Sequence, residues 1–393
     1  MTSATADNPK ILIGASIPRS GHHFLADMMT GYFGRDLFYC EYYTLPSCCK
    51  TVPCTRRGRH KFIYQKSHDR DFKLPGDVAD ALYLIQYRHP VPEALSDREL
   101  ELQDRLGRPN FNFRRTHAGY VTWLTTKALY YRKFHNKWIA KKLPNAIYLD
   151  YPDLAADPKA LMKEIVGRAG GVVDEARISD IVDKVRGPRA AAHGSTEAFK
   201  PRVISESPYF DAKLLGALEA WVLERCPAFN FAPELGGSYK ESEMYALILL
   251  KDPNEPLPKG GSKRLKVAAD MAPDHPEIQR RLAMKAIREG HVANAIERLE
   301  RLLAQHPFFG AGYSLLFSAC ADSGTAVPES VLNGNALVAC SDNAELSMQL
   351  GAAFGEKGFW VNAIAAYSLA NTIEPANEEA SERLAAAVAG AKR

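Results

Sequence analysis

The chain has 393 residues, of which 46% are hydrophobic, a content typical of a packed protein long enough for two domains. Its 50 lysine and arginine residues against 46 aspartate and glutamate residues give a net charge of only +4. This composition excludes a largely disordered chain, and the charge is too small to indicate a nucleic-acid partner.

The N-terminal residues 1–10 lack a basic region followed by a long apolar core, so we predict no secretory signal. The longest apolar candidate, residues 244–250, is far shorter than the roughly 20 residues that a transmembrane helix needs. The seven cysteines show no paired C-x-x-C spacing with downstream histidines, which indicates reduced thiols and no metal site. We expect a soluble, cytoplasmic protein without a transmembrane segment.

The first predicted elements are a strand over Ile11–Ile13 and a helix from Phe24, joined by a turn rich in glycine and polar residues. A helix N-terminus offers free backbone N–H groups and the positive end of a dipole. Arg19, His22 and His23 lie in the same turn. The turn is therefore a candidate anion site, with an ordinary βα turn as the alternative.

Further strand-like runs alternate with helix-like segments at residues 61–65, 81–87 and 146–149. Such alternation predicts an α/β domain with a largely parallel sheet. In open parallel sheets, ligands bind beyond the carboxyl ends of the strands. Since Lys66, His68 and Arg88 directly follow two of these strands, we expect them to converge with Arg19 on one edge.

The composition changes at residues 251–263, which are dense in proline, glycine and charged side chains. A regular element is excluded there, so we interpret this segment as a linker. It separates a predicted α/β domain at residues 10–250 from a C-terminal domain at residues 264–393.

The C-terminal domain contains an internal repeat in which residues recur 68 positions later (350 − 282 = 68). The pairs are Leu282 and Leu350, Ala283 and Gly351, Gly290 and Gly358, Ala295 and Ala363, Leu299 and Tyr367, and Pro307 and Pro375. This offset is twice the roughly 34-residue period of tetratricopeptide repeats, so the domain resembles an all-α tetratricopeptide array. The intervening unit is degenerate, and residues 377–392 are predicted to form a capping helix.

The function of the repeats stays open between two readings. One is a concave groove for a protein partner, and the other is a stabilising appendage or a means of self-association.

Two polar clusters follow the predicted strands. In Lys66-Ser-His68, the histidine can take a proton near neutral pH and the lysine can stabilise developing negative charge. Arg88 and Ser96, across a proline-started turn, can place a charged fork and a hydroxyl on one phosphate. The first turn has Arg19 where the NTPase P-loop has a glycine followed by lysine, which argues against a nucleotide kinase.

Taken in order, these segments resemble the sulfotransferases that use 3′-phosphoadenosine 5′-phosphosulfate (PAPS), over about residues 10–230. The resemblance implies a P-loop-like, three-layer parallel sheet flanked by helices. In that family a Lys/Arg-Ser-Gly-Thr-Thr loop binds the 5′-phosphosulfate. Its place is taken here by Arg19, Ser20, Gly21, His22 and His23, with two histidines in place of the hydroxyl residues.

The resemblance also assigns roles to the later clusters. Lys66-Ser67-His68 stands where the family has the strand end whose histidine is the base. Arg88 and Ser96 stand where the family binds the 3′-phosphate. For the family's late Arg-Lys-Gly segment, which clasps the nucleotide, the nearest substitute contains Lys200 and Arg202.

The function that this resemblance implies is transfer of a sulfonyl group from PAPS to a hydroxyl or amine acceptor, with a carbohydrate or glycan as the first choice. His68 would deprotonate the acceptor, while Arg19 and Lys66 neutralise developing charge. No metal or covalent enzyme intermediate is required. The alternative is a scaffold whose repeats bind a partner and whose α/β domain senses nucleotide or is inactive.

Overall fold

The structure is a computed structural model, and it describes residues 10–42, 48–55, 58, 60–104, 111–192, 203–255, 257 and 259–392. The chain divides into two compact units, one of residues 1–100 and 127–237 and the other of residues 101–126 and 238–393. The domain boundaries predicted from the sequence stay a prediction.

A parallel five-stranded sheet forms the centre of the first unit, with strand order β2-β3-β1-β4-β5. The strands are β1 (Lys10–Ser16), β2 (Leu37–Glu41), β3 (Phe62–Ser67), β4 (Leu82–Tyr87) and β5 (Ala146–Asp150). Strands β1, β3, β4 and β5 are those that the sequence predicts, whereas β2 was not predicted. Apolar residues run almost without interruption along β1 and β4, as expected for strands buried on both faces.

The helices before residue 238 come between and after the strands. In chain order they are α1 (His22–Phe33), α2 (Pro90–Asp104), α3 (Phe111–Arg115), α4 (His117–Phe134), α5 (Tyr151–Ala156), α6 (Pro158–Arg168), α7 (Glu175–Ala192) and α8 (Ala212–Arg225). Helix α3 and the first part of α4 belong to the second unit. Helix α4 continues into a π-helical turn over His135–Ile139.

Helices cover both faces of the sheet in the first unit. On one face, Met29 of α1, Val166 of α6 and Val182 of α7 share a core with Leu12 and Leu84 of the strands. The neighbouring strand residues point the other way, where the ring of Tyr83 lies 5.9 Å from that of Trp138 in the π-helical turn. This three-layer arrangement confirms the predicted P-loop-like α/β fold.

The second unit is helical at its described residues beyond 238. Its later helices are α9 (Glu243–Lys251), α10 (Gly261–Met271), α11 (Pro276–Arg288), α12 (Val292–Gln305), α13 (Gly310–Ser323), α14 (Gly334–Cys340), α15 (Ala344–Glu356), α16 (Trp360–Ile373) and α17 (Glu378–Gly390). Within the described ranges, no helix of the chain has both the length and the apolar character needed to cross a membrane.

The helices from α11 onward follow the predicted repeat. Helices α11, α13, α15 and α17 begin at residues 276, 310, 344 and 378, each 34 residues after the one before (310 − 276 = 34). The partner helices α12 and α16 have 14 residues each, but α14 in the middle unit has only 7. The predicted all-α, tetratricopeptide-like array with a degenerate middle unit is confirmed.

Candidate functional site

The turn between β1 and α1 leaves the first backbone N–H groups of α1 without a side-chain cap. Arg19 and Gly21 both have left-handed backbone conformations, with φ of 60° and 84°. Gly21 precedes the first helical residue, and no side chain caps the helix there. An anion can accept hydrogen bonds from uncapped N–H groups at the start of a helix.

Ser20 holds the turn together from inside. Its side chain is fully buried, and its hydroxyl donates a hydrogen bond of 2.5 Å to the carbonyl of Ile17. Since the hydroxyl is committed to the turn, any contact between Ser20 and a ligand would come from its backbone N–H.

Arg19 connects the turn to the segment that follows β4. Its Nε donates to the hydroxyl of Ser96 at 3.0 Å, and its carbonyl accepts from Arg88 at 3.2 Å. The Arg88 guanidinium lies 4.2 Å from the ring centroid of Tyr151, a cation–π contact that holds the fork in place. The structure therefore brings together three of the predicted site residues: Arg19, Arg88 and Ser96.

His68 is held between β1 and Lys66. Its Nδ1 lies 2.9 Å from the carbonyl oxygen of Ser16 and 3.1 Å from the Ser16 hydroxyl. Because a carbonyl oxygen only accepts, the neutral ring carries its proton on Nδ1. Nε2 is then the basic nitrogen, and it accepts a hydrogen bond of 3.1 Å from the Lys66 ammonium.

Burial changes the proton affinities of this pair. Burial, and next the positive charge of Lys66, lower the pKa of His68 to about 3. Burial lowers the pKa of the Lys66 ammonium to about 8, against the effect of the Glu41 carboxylate, which raises it. Near neutral pH His68 is therefore an uncharged base, and Lys66 is largely charged with little solvent around it.

His22 and His23 lie beside this pair. The His22 ring is 8% exposed and meets the ring of His68 edge to face, with centroids 4.6 Å apart. Burial and the charges around it, Lys66 first, lower the pKa of His22. His23 is more exposed, and its ring centroid lies 3.9 Å from that of His22.

Glu41 is a site residue that the sequence analysis missed. It is the last residue of β2 and pairs in register with Lys66 of β3. One ligand atom from each of Glu41, His22 and His23 lies within 4.8 Å of the others, so these side chains could hold a metal ion. Had β2 been predicted, the carboxyl-end rule would have placed Glu41 on this edge.

One further contact supports this edge, and α2 carries a buried ion pair. The Tyr130 hydroxyl donates to the carbonyl of His68 at 2.5 Å. Burial raises the pKa of Glu93 on α2 to about 7, although Lys127 lies 2.6 Å from its carboxylate. The remaining predicted residues, Lys200 and Arg202, lie outside the described residues.

The fold and this edge define an α/β protein whose β1–α1 turn, a candidate anion site, lies near a lysine–histidine pair. No protein-family model matches the sequence. A search of curated proteins gives no match either.

Two solved structures are similar to parts of the chain. One is mouse sulfotransferase SULT7A1 complexed with PAP, with 17% identity, a TM-score of 0.38, and coverage of 56% of this chain and 84% of that one. The other is the human IFIT1 dimer with PPP-AAAA, with 16% identity, a TM-score of 0.26, and coverage of 76% and 68%.

Proposed function

We propose that the first unit transfers a sulfonyl group from PAPS to a hydroxyl or amine acceptor. The observation that carries this proposal is that the uncapped β1–α1 turn and a buried, neutral histidine lie at one edge of the sheet. Arg19 joins the two phosphate-binding segments through Ser96, and the Lys66–His68 pair lies beyond the adjacent strand.

Each end of the donor has matching groups in this arrangement. The N–H groups at the start of α1, together with Arg19, suit the 5′-phosphosulfate. Arg88 and Ser96 suit the 3′-phosphate, since a guanidinium fork and a hydroxyl together can bind a phosphate through several hydrogen bonds. The Arg88–Tyr151 contact limits the freedom of the fork before the ligand arrives.

The reaction needs the Nε2 lone pair of His68, which Lys66 occupies in this structure. When the donor binds, its negative charge would attract the Lys66 ammonium and free Nε2 for the acceptor hydroxyl. The acceptor oxygen then forms a bond to sulfur while the bond from sulfur to the bridging phosphate oxygen breaks. The acceptor proton goes to Nε2, and Arg19 and Lys66 stabilise the charge on the leaving phosphate.

For the acceptor, we propose a carbohydrate, free or as part of a glycan. This choice rests on the resemblance of residues 10–230 to sulfotransferases and on the absence of any need for a charged acceptor in the mechanism above.

The test is incubation of the chain with PAPS carrying a labelled sulfonyl group and a panel of glycans, lipids and proteins. We expect label transfer to a carbohydrate hydroxyl and stabilisation of the fold by 3′-phosphoadenosine 5′-phosphate (PAP). Stabilisation by PAP without transfer to any acceptor would favour a nucleotide sensor. No stabilisation by PAP would contradict the proposal altogether.

A further inference from the structure

We propose that His22, His23 and Glu41 bind a divalent transition-metal ion of the zinc type. One ligand atom from each side chain lies within 4.8 Å of the other two, so small side-chain movements would bring all three to the bonds of about 2 Å that a zinc-type ion makes. The proposed sulfonyl transfer uses no metal, so this inference goes beyond that function, although His22 and His23 belong to the turn that we propose for the 5′-phosphosulfate.

The ligand types decide which ion fits. Two imidazoles and one carboxylate suit ions of borderline softness such as Zn²⁺ and Co²⁺, whereas Mg²⁺ and Ca²⁺ take mainly oxygen ligands. Three protein ligands also leave a fourth position open, as in zinc sites that bind water or a substrate. The set therefore favours an open, zinc-type site over a closed structural one.

The backbone holds the three ligands in place from two sides. His22 and His23 are the first residues of α1, and Gly21 in its left-handed conformation sets their direction. Glu41 ends β2, which is paired with β3 along its length. The Glu41 carboxylate also accepts a hydrogen bond of 2.8 Å from the Tyr39 hydroxyl, a contact that orients it.

Positive groups near the ligands determine what occupies the open position. The N-terminus of α1 and the Lys66 charge, which acts on His22, disfavour a bare dication. Glu41 compensates one positive charge only. An oxyanion as the fourth ligand would balance the rest, and the uncapped start of α1 lies where such an anion would bind.

Cysteines elsewhere in the same unit compete for the same ions, so the experiment must distinguish sulfur from nitrogen ligands. The sulfurs of Cys40 and Cys48 are 3.9 Å apart, and those of Cys49 and Cys54 are 3.3 Å apart. Thiolates bind Zn²⁺ and Co²⁺ strongly. Cobalt is the better probe, because cobalt–thiolate bonds add a near-ultraviolet charge-transfer band that imidazole and carboxylate ligands do not give.

The test is a Co²⁺ titration of the full chain after chelator treatment and under reducing conditions. We expect one saturable site with visible ligand-field bands and no sulfur charge-transfer band. His23→Ala and Glu41→Gln should each weaken Co²⁺ binding by at least about 10-fold. We replace His23 and Glu41 and leave His22 unchanged, because His22 is buried and its replacement would disturb the packing around it.

The matched control is His60→Ala, since His60 is a half-buried histidine of the same unit outside the proposed ligand set, with its Nδ1 2.9 Å from the carbonyl oxygen of Arg35. It should bind Co²⁺ like the unmodified protein. Absence of saturable binding, a spectrum dominated by sulfur charge transfer, or unchanged affinity in both ligand variants would overturn the proposal. PAP binding is measured separately in chelator-treated protein, so a failure of the proposed function would be seen independently.

Discussion

The Lys66 ammonium lies 3.1 Å from Nε2 of His68, the nitrogen that must take a proton in the proposed reaction. The opposite nitrogen, Nδ1, is committed to the carbonyl of Ser16. The Lys66 cation therefore occupies the lone pair of the base, and a bound anion would draw that cation away.

Replacing His68 tests the base directly. We expect His68→Ala to lower turnover by roughly 100-fold or more while PAP binding stays nearly unchanged, because the imidazole acts on the acceptor proton. Turnover and PAP affinity are measured on the same preparation, with His60→Ala as the control. Full activity of His68→Ala would remove this residue from the mechanism.

Replacing Lys66 tests the electrostatic coupling without any assay of turnover. In Lys66→Met, loss of the neighbouring charge and hydrogen bond should raise the pKa of His68 from about 3. The pKa should stay below the ordinary histidine value of 6.5, since burial is its first cause. NMR titration of the imidazole measures the shift.

Lys61→Met removes an exposed lysine that is paired with Asp36, and it should leave the titration of His68 where it was. An unchanged pKa of His68 in Lys66→Met would show that the two side chains are not coupled.

Ser96 tests the predicted 3′-phosphate contact. Removing one hydrogen bond to a charged group costs about 1.5–3 kcal/mol, so Ser96→Ala should weaken PAP binding by roughly 10-fold or more. Adenosine 5′-phosphate lacks the 3′-phosphate and should bind both proteins equally. Calorimetry with the two nucleotides separates the cases, and an equal loss for both would place Ser96 elsewhere on the ligand.

The buried, uncharged state of His68 predicts sensitivity to acid. Its pKa is lowered from 6.5 to about 3 in the folded chain, so between these values the unfolded chain binds more protons. The free energy of unfolding should therefore be complete above pH 6.5 and fall as the pH drops toward 3. The largest slope from this one group is about 1.4 kcal/mol per pH unit.

Denaturant unfolding of the unmodified chain and of His68→Gln at several pH values isolates this contribution. Glu93, whose pKa is raised to about 7, gives the opposite trend between its ordinary and folded values, and it is present in both proteins. The difference between the two curves should grow on acidification. Parallel curves would mean that the pKa of His68 is the same in the folded and the unfolded chain.

Two glycines of α15, Gly351 and Gly355, allow a matched test of how closely the repeat helices pack. A Cβ on Gly351 would lie 2.6 Å from the ring of Tyr367, whereas one on Gly355 would meet its nearest neighbour, Trp360, at 3.6 Å. Gly351→Ala should lower the free energy of unfolding by about 1–3 kcal/mol through overpacking. Gly355→Ala should be neutral or stabilising by about 0.5–1 kcal/mol. Equal effects would contradict the close helix contact.

The sequence was sufficient to predict the site residues that follow long buried strands. Lys66, His68 and Arg88 were placed on one edge because the ends of parallel strands meet there, and the structure has them there. Glu41 was missed because β2 (Leu37–Glu41) was not recognised as a strand: it mixes half-buried aromatic residues with a cysteine, whereas β5, of the same length, has a clearer apolar run. The depressed pKa of His68 depends on burial and on Lys66, neither of which a sequence pattern measures.

In the repeats, spacing predicted the fold but not its irregularity. The 34-residue interval follows from small residues and prolines that recur where paired helices meet. The middle unit lacks those residues, and its second helix shortens to Gly334–Cys340 after a 3₁₀ turn. The missing repeat residues show that the middle unit departs from the helix–turn–helix pattern, but they do not predict which structure replaces it.

At Arg19 the left-handed backbone lowers the stability of the fold, while the side chain makes a contact within the candidate site. Glycine would adopt a φ of 60° without strain, whereas a side chain there costs about 1 kcal/mol. Selection for a sturdier fold alone would therefore favour glycine at position 19. Glycine at position 19 would lose the hydrogen bond to Ser96, so the strain at Arg19 is offset by a contact that joins two segments of the candidate site.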